Sequence, residues 1–375
     1  MNRKTAILLA LAIAGPWSVE TQAHHGGALY DSSRTVTVRG PVTEFKFVFP
    51  HVLVYINVAD GDGGTEEWSG ELTTPNRLAR GISAGAPSAI RWTANSLLPG
   101  DVIELTGNPA RNGAPSMRIR ELVDVTGRAL IGGEAVTIES GSSAREPLPE
   151  GQGADLRGVW IRRYEHPWEN YAFSDELPPM TPWARERFEL SRPVFGPDAV
   201  AVVETNDPTY QCLPPGVPRI YAHPAAFEIV QFADRVMIVY EFHQQFRIMY
   251  TDGRSHRSGR PETWMGESVG RWEGDTLVVA SVNFNDKTWI DRRGVPHSNQ
   301  LRVTERFSRN GDGQLIVEIT VEDPAAFTES WTARRVFDSV NWRLEENVCV
   351  ENDLFEEFSA YEREVLEYGG ERVSP

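Results

Sequence analysis

LRVTERFSRNGDGQLIVEITV, residues 301–321, is the stretch that decides the fold. Apolar and polar side chains alternate on both sides of a turn at residues 310–313, with Leu301, Val303 and Phe307 sharing one face. A period of two places alternate side chains on opposite faces of a β-strand, and a turn of Asn, Gly and Asp joins antiparallel neighbours. The stretch therefore predicts a β-hairpin with one buried face.

The same pattern extends through the second half of the chain. It predicts strands at 227–232, 235–242, 246–250, 268–272, 276–284, 301–308, 314–321, 330–337 and 342–350. An antiparallel meander of eight or nine strands closes into a barrel because closure leaves no exposed edge. The earlier triplet Gly158-Val159-Trp160 is similar to the first-strand signature of lipocalin-like barrels, which implies a barrel of that type.

The first half of the chain predicts a smaller barrel. Strands are expected at 35–49, 51–59, 67–72, 102–106 and 116–125, with a short helix at 76–80 after Thr74-Pro75. Three strands, a helical connection and two further strands follow the order of an OB-like Greek-key barrel, the type that binds oligonucleotides and oligosaccharides. The predicted fold class is therefore all-β, a small OB-like barrel followed by a larger antiparallel lipocalin-like barrel.

Composition divides the chain into four parts. These are a signal peptide at 1–23, the OB-like barrel at 24–130, a Gly/Ser/Glu-rich linker at 131–154, and the larger barrel at 155–375 with a Pro-rich insertion at 165–226. Within the insertion, Thr181-Pro182 predicts the start of one helix that runs to about Leu190, because Pro suits the first turn of a helix.

The net charge limits the classes of partner. The chain carries 53 acidic and 37 basic side chains, for a formal net charge of -16 over 375 residues. Such a charge repels phosphate backbones and acidic membrane surfaces, so we expect no nucleic-acid partner.

The N-terminus and the cysteines predict export. Arg3 and Lys4 precede an apolar run at 6–14, and small residues follow near Ala23, as in a secretory signal peptide. No stretch is long enough for a transmembrane segment. Cys212 and Cys349 are the only cysteines and predict one disulfide in an oxidising compartment. We expect a periplasmic or secreted protein.

Several separate motifs resemble, as a set, an uncharacterised family of exported bacterial proteins. The matching pieces are HH at 24–25, FPHV at 49–52, LPGD at 98–101, WMG at 264–266, GRWEGDTLVV at 270–279, NFNDKTW at 283–289 and VTER at 303–306. The resemblance covers most of both predicted barrels and implies export and the two-part layout. It implies no activity.

Histidines at the predicted mature N-terminus are candidate metal ligands. Cleavage after Ala23 would make His24 the first residue, where its amine and imidazole, with His25 and His51, suit copper or zinc. The set resembles the histidine brace of secreted copper proteins, and Glu71 and Asp31 are candidate extra ligands. The alternative is a flexible His-His tail beside an unrelated His51.

Charged side chains on apolar strand faces are candidate site residues of the larger barrel. Glu305 and Arg335 each interrupt an apolar row, so we predict that they lie inside the barrel and pair or face a ligand. The long loop at 285–300 predicts a rim or lid in which His297 is a general base oriented by Asp286. Glu241, His243 and Tyr250, around another hairpin, are candidate ligand-binding residues; each set also has a purely structural interpretation.

Three functions remain open from the sequence. The leading one is binding of a small, largely apolar molecule in the larger barrel, since eleven tryptophans supply aromatic surface. The second is a cofactor-free acid/base enzyme of the isomerase, hydratase or lyase type that uses His297, Asp286 and Glu305. The third is copper binding at the N-terminus. No phosphate loop, HExxH or CxxC motif is present.

Overall fold

A computed structural model describes residues 29–48, 51–61, 63–83, 86–87, 90–132, 147–148, 152–347, 349 and 353–368. The predicted signal peptide, His24, His25 and most of the predicted linker lie outside these residues. None of the helices in these ranges combines the length and the apolar character needed to cross a membrane.

The small barrel is a closed sheet of five strands. Its strands are β1 (Val36–Lys46), β2 (Leu53–Ala59), β3 (Thr65–Glu71), β6 (Val102–Pro109) and β7 (Ser116–Asp124). They pair in the order β3-β2-β1-β6-β7, and a parallel pairing of β7 with β3 closes the sheet. The short elements α1 (Pro75–Ala79), β4 (Ile82–Ser83) and β5 (Ala86–Pro87) lie between β3 and β6 in the sequence, and β8 (Ala129–Ile131) pairs antiparallel with β7.

The larger barrel is a closed sheet of nine strands. They are β9 (Gly158–Arg163), β10 (Phe227–Gln231), β11 (Arg235–Tyr240), β12 (Phe246–Tyr250), β13 (Glu267–Glu273), β14 (Thr276–Val282), β15 (Arg302–Arg309), β16 (Leu315–Glu322) and β17 (Trp331–Val340). The hairpin predicted from residues 301–321 is β15–β16, in which Phe307 pairs with Val317. The predicted fold class, two barrels in an all-β chain, is confirmed.

Both barrels contain an odd number of strands, and this requires one parallel contact in each. If strand directions alternate around a closed barrel, the number of strands must be even. A barrel with an odd number of strands must therefore contain two neighbouring strands that run in the same direction. In the larger barrel these are β12 and β13, which pair only at Met249–Ser268 and Tyr250–Val269. The segment 251–266 forms the long crossover that a parallel pair requires. The wall is therefore weakest between β12 and β13.

The Pro-rich insertion fills the larger barrel from one end. Its one α-helix, α2 (Pro182–Glu189), has its N-cap at Thr181, whose hydroxyl accepts a hydrogen bond from the Ala184 N–H at 3.3 Å. A 3-10 turn at Arg219–Ala222 places Tyr221 inside the barrel, about 6.0 Å from the ring of Phe337. The interior is therefore occupied by side chains of the protein itself.

The C-terminal residues depart from the prediction. Residues 341–347 form no strand, so the strand predicted at 342–350 is wrong; Trp342 and Leu344 instead pack on the outside of the barrel against Val159 and Ala226. A helix that the sequence analysis missed, α3 (Asp353–Glu367), returns to the small barrel, where Tyr361 and Val365 join its satellite core.

The predicted disulfide is confirmed. Cys212 and Cys349 are bonded, with their Cα atoms 5.4 Å apart and a separation of 137 positions in the sequence. The bond attaches the segment that leads into α3 to the Pro-rich insertion. It therefore fixes the helix that bridges to the small barrel.

We predict that replacing both cysteines by serine lowers the free energy of unfolding by about 4 to 5 kcal/mol, the loop-closure value for a loop of this length. The same change should let a protease release α3 sooner, because its attachment is lost. Denaturant unfolding and limited proteolysis measure the two effects. Unchanged unfolding and unchanged release of the helix would contradict this role of the bond.

Candidate functional site

An ion pair with its hydrogen-bond network lies at the centre of the larger barrel. The guanidinium of Arg247 donates to both carboxylate oxygens of Glu305, and Glu305 is fully buried. Arg247 also donates to Ser268 at 2.9 Å and Ser281 at 2.7 Å, and Tyr221 donates its hydroxyl hydrogen to Glu305 at 2.8 Å. Every nitrogen of this guanidinium has a partner.

This network replaces the predicted pairing of Glu305 with Arg335. Both side chains are fully buried, as predicted, but Glu305 lies opposite Val279 and Ile319 whereas Arg335 lies opposite Val317. Arg335 donates to the carbonyl of Ala172 and lies 3.6 Å from Glu169. The predicted pair is wrong because the sequence could not show that Arg247, on β12, faces Glu305 across the barrel.

The compensated charge of this pair indicates a structural role. Burial alone disfavours the charged guanidinium, but the adjacent Glu305 carboxylate raises the pKa of Arg247 above its usual value. Burial also raises the pKa of the neighbouring Tyr240 to about 12. The phenol group of Tyr240 therefore stays neutral. We conclude that the network holds the barrel wall and the Pro-rich insertion together.

We predict that Glu305→Gln lowers the free energy of unfolding by about 3 to 5 kcal/mol, because it leaves Arg247 buried without a counter-charge. Glu318→Gln, on the exposed outer face of the same hairpin, is the matched control and should change stability by less than about 0.5 kcal/mol. Equal unfolding of the two variants would show that the Arg247 charge is not buried as described. The double variant Glu305→Leu/Arg247→Met should recover much of the loss.

The predicted general base is buried and lies in a packed loop. His297 is 3% exposed and its Nδ1 lies 3.0 Å from the carbonyl of Ser298, whereas Asp286 is exposed. Burial lowers the pKa of His297 and so disfavours its protonated form. No hydrogen bond joins His297 to Asp286 or Glu305 among the described residues. An acid/base role for these three residues stays a prediction.

The three candidate ligand-binding residues around the β11–β12 hairpin do not converge. Glu241 faces the small barrel, where it accepts from Arg80 at 2.8 Å and from Asn76 at 3.3 Å. His243 stacks on Phe242, with ring centroids 4.1 Å apart, and burial lowers its pKa to about 4. Tyr250 lines a separate cavity of about 560 Å³ at the weak wall between β12 and β13.

The Arg80–Glu241 contact fastens the two barrels together. Both side chains are almost fully buried, and Arg80 also donates to the carbonyl of Arg343 and lies over the ring of Trp342 at 5.3 Å. A two-pronged guanidinium–carboxylate contact of this kind fixes orientation as well as distance. It sets the spacing of the barrels beside the cleft described next.

A cleft of about 470 Å³ lies between the barrels; we call it the inter-barrel cleft. The small barrel contributes an apolar wall formed by Leu72, Leu78 and Ile119. The polar lining includes Glu71, Arg77, Arg118 and Arg120 from the small barrel and Tyr164, His166 and Asn170 from the larger one. Side chains of both barrels therefore meet in this cleft.

The acidic side of the cleft is internally neutralised. The carboxylate of Glu71, 1% exposed, lies 2.6 Å from His51 Nδ1 and 3.6 Å from Arg118. Burial opposes ionisation of Glu71, but the charges of these two partners keep its pKa below the usual value. Tyr30, hydrogen-bonded to Tyr361 of α3, lies beside this carboxylate.

The opposite side of the cleft carries a surplus of positive charge. Behind Tyr164 and Asn170 lies a set of buried arginines, Arg162, Arg219 and Arg292, which we call the guanidinium cluster. Arg162 lies over the Tyr164 ring at 4.2 Å, and Arg292 donates to the Asn170 carbonyl at 3.0 Å. Burial and the positive charges of all three arginines lower the pKa of nearby His223. The imidazole of His223 is therefore neutral.

Within the described ranges, one member of the guanidinium cluster forms an ion pair with a carboxylate. Arg219 forms an ion pair with Asp207. Arg162 donates to the Tyr221 carbonyl at 3.0 Å, and its Nε and Nη2 have no hydrogen-bond partner among the described residues. Burial lowers the pKa of Arg162 and lowers that of Arg292 to about 10. At Arg247, by contrast, the adjacent Glu305 carboxylate raises the pKa of the guanidinium.

Comparison with known proteins adds a family match for the first part of the chain. Residues 13–117 match the model of a family of unknown function (DUF6152). No curated protein matches the chain.

Two similar solved structures are the wild type and the N57A mutant of fluorescent protein UnaG. The wild type is 13% identical, with a TM-score of 0.25, and the match covers 49% of this chain and 97% of that chain. The mutant is 12% identical, with a TM-score of 0.23, and the match covers 50% of this chain and 97% of that chain. Likeness at this level gives no information on function.

Proposed function

We propose that the protein is an exported small-molecule-binding protein whose ligand occupies the inter-barrel cleft. The observation that carries the proposal is the cleft itself, because an apolar wall with a few convergent polar groups is typical of ligand sites. The disulfide and the signal-like N-terminus support export.

The cleft is a better candidate than the interior of the larger barrel. That interior is filled by Trp160, Tyr221, Phe307 and Phe337, all buried, and by the Glu305 network. An apolar ligand deep inside this barrel stays a prediction, and it would need these side chains to move. The cleft needs no such change.

We predict that Thr73→Trp abolishes ligand binding, because Thr73 lines the cleft and an indole there would fill it. Thr37→Trp, on the exposed outer face of β1, is the matched control and should bind like the parent. Native mass spectrometry of each protein purified from its own host reports retained ligand mass. Equal ligand retention by both variants would place the ligand elsewhere.

A second candidate function is copper binding by the small barrel. The contact between Glu71 and His51 Nδ1 favours it, since a carboxylate on one ring nitrogen commonly orients the other towards a metal. The described residues contain no group of three or more His, Cys, Asp or Glu side chains that would hold a metal ion. The site would therefore need His24 and His25, which lie outside those residues.

The copper candidate predicts a requirement for a free amine at His24. A chain that begins at His24 should bind Cu(II) at least ten-fold more tightly than the same chain with one alanine added in front, because the extension removes the amine donor. His256→Ala, in the larger barrel, is the control and should leave the affinity unchanged. Equal Cu(II) affinity of the two N-termini, measured by competition titration, would exclude the brace.

A further inference from the structure

We infer that the ligand of the inter-barrel cleft carries an oxyanion group, a carboxylate, sulfate or phosphate, that accepts hydrogen bonds from Nε and Nη2 of Arg162 and from Nε of Arg77. The inference rests on the proposed function and names the chemical class of its ligand. Two arginine side chains carry charges that form no ion pair with a carboxylate among the described residues.

Arg162 is the first of these charges. It is 4% exposed, it donates to the Tyr221 carbonyl, and it interacts with the side chain of Tyr164. Neither of these partners is a carboxylate. Two of its nitrogens, Nε and Nη2, are buried and have no hydrogen-bond partner in the part of the chain that the structure describes. These two nitrogens form one edge of the planar guanidinium, the edge that matches the two oxygens of a carboxylate or phosphate.

Arg77 brings a second charge from the other barrel. It lies on α1, lines the cleft, and has a buried Nε without a hydrogen-bond partner among the described residues. Arg77 lines the cleft together with Tyr164, the residue over which Arg162 lies, and its charge acts on both. An anion there would contact both barrels.

The nearby carboxylates each contact another arginine. Glu169, whose charge acts on Arg162, lies 3.6 Å from Arg335. Glu165, which lines the cleft, lies 3.2 Å from Arg334. Asp207 is paired with Arg219, and Arg292 contacts the Asn170 carbonyl and the Phe195 ring rather than a carboxylate. Glu71, across the cleft, is paired with His51 and Arg118. Burying a cation without a counter-charge is costly, and a neutral side chain would avoid the cost. A ligand anion would supply the missing counter-charge and would explain why position 162 is an arginine.

The apolar wall indicates what the anion is attached to. Leu72, Leu78 and Ile119 line the same cleft and offer no hydrogen-bonding side chain. A free inorganic ion would leave this wall in contact with water. We therefore expect a small organic acid with an apolar body rather than phosphate or sulfate alone.

Two fluorescent probes test the inference, anionic 1-anilinonaphthalene-8-sulfonate and neutral N-phenyl-1-naphthylamine. The parent should bind the anionic probe at least ten-fold more tightly than the neutral one. Arg162→Met should remove this preference while the neutral probe binds as before, and it should melt no lower than the parent because it removes an uncompensated buried charge. Arg306→Gln, an arginine on the outer face of β15, is the control and should bind both probes like the parent.

The outcomes separate this inference from the proposed function. If Thr73→Trp blocks both probes but Arg162→Met leaves anionic binding unchanged, the cleft is the site and the oxyanion inference is overturned. If Thr73→Trp blocks neither probe, the cleft itself is excluded. Should Arg162→Met fail to fold, Arg77→Gln replaces it, since Arg77 is only half-buried; retained preference for the anionic probe in that variant also overturns the inference.

The melting temperature of the protein in different salts shows which oxyanion it binds. We compare sodium phosphate, sodium sulfate and sodium acetate with sodium chloride at equal ionic strength. A ligand that binds only the folded state raises the melting temperature. Stabilisation by acetate or phosphate that Arg162→Met abolishes supports the oxyanion site. Equal melting of the parent in all four salts, together with equal affinity for the two probes, contradicts it.

Discussion

The cost of burying a guanidinium group is the constraint on which the rest of this structure depends. Arginine keeps its charge at neutral pH, so each buried copy requires a counter-charge or a full set of acceptors. Arg247 has both in Glu305 and two serines, and Arg80 has Glu241. These two contacts hold the barrel interior and the junction between the barrels. Arg162 forms no ion pair with a carboxylate in the described part of the chain and has an incomplete set of acceptors there. It lies beside the cleft that we propose as the ligand site.

The connections between the barrels make the cleft a defined cavity rather than a gap between tethered domains. The Arg80–Glu241 contact joins the small barrel to the larger one, and α3 returns from the end of the chain to pack on the small barrel. The Cys212–Cys349 bond fixes the segment that leads into α3. Residues of the cleft are therefore held on both sides by covalent or buried polar contacts, which favours the pre-formed geometry that ligand sites usually have.

Much of the fold was predictable because it depends on local periodicity. The alternation at 301–321 predicts β15 and β16 and the buried face that contains Glu305, and turn residues predict most strand ends. The error at 342–350 has a local cause, since Trp342 and Leu344 alternate like a strand but pack outside the barrel. The missed helix α3 did have a signal, with Leu354, Phe358, Tyr361 and Val365 at helical spacing.

The candidate site was not predictable in the same way. Strand alternation indicates that Glu305 and Arg335 are buried but cannot identify a partner on a distant strand, which proved to be Arg247. The cleft combines Arg77 of α1 with Arg162 and Tyr164 of a different barrel, and nothing local in the sequence connects them. The surplus of buried arginine is visible only when the carboxylate partners have been assigned one by one.

A crystal structure of the protein, purified from its own host without added ligand, tests the central claim most directly. The account predicts non-protein density within hydrogen-bonding distance of Arg162 Nε and Nη2 that extends along Leu72 and Ile119. A cleft that holds only water, with the Arg162 guanidinium turned onto a carboxylate of the protein, would contradict it.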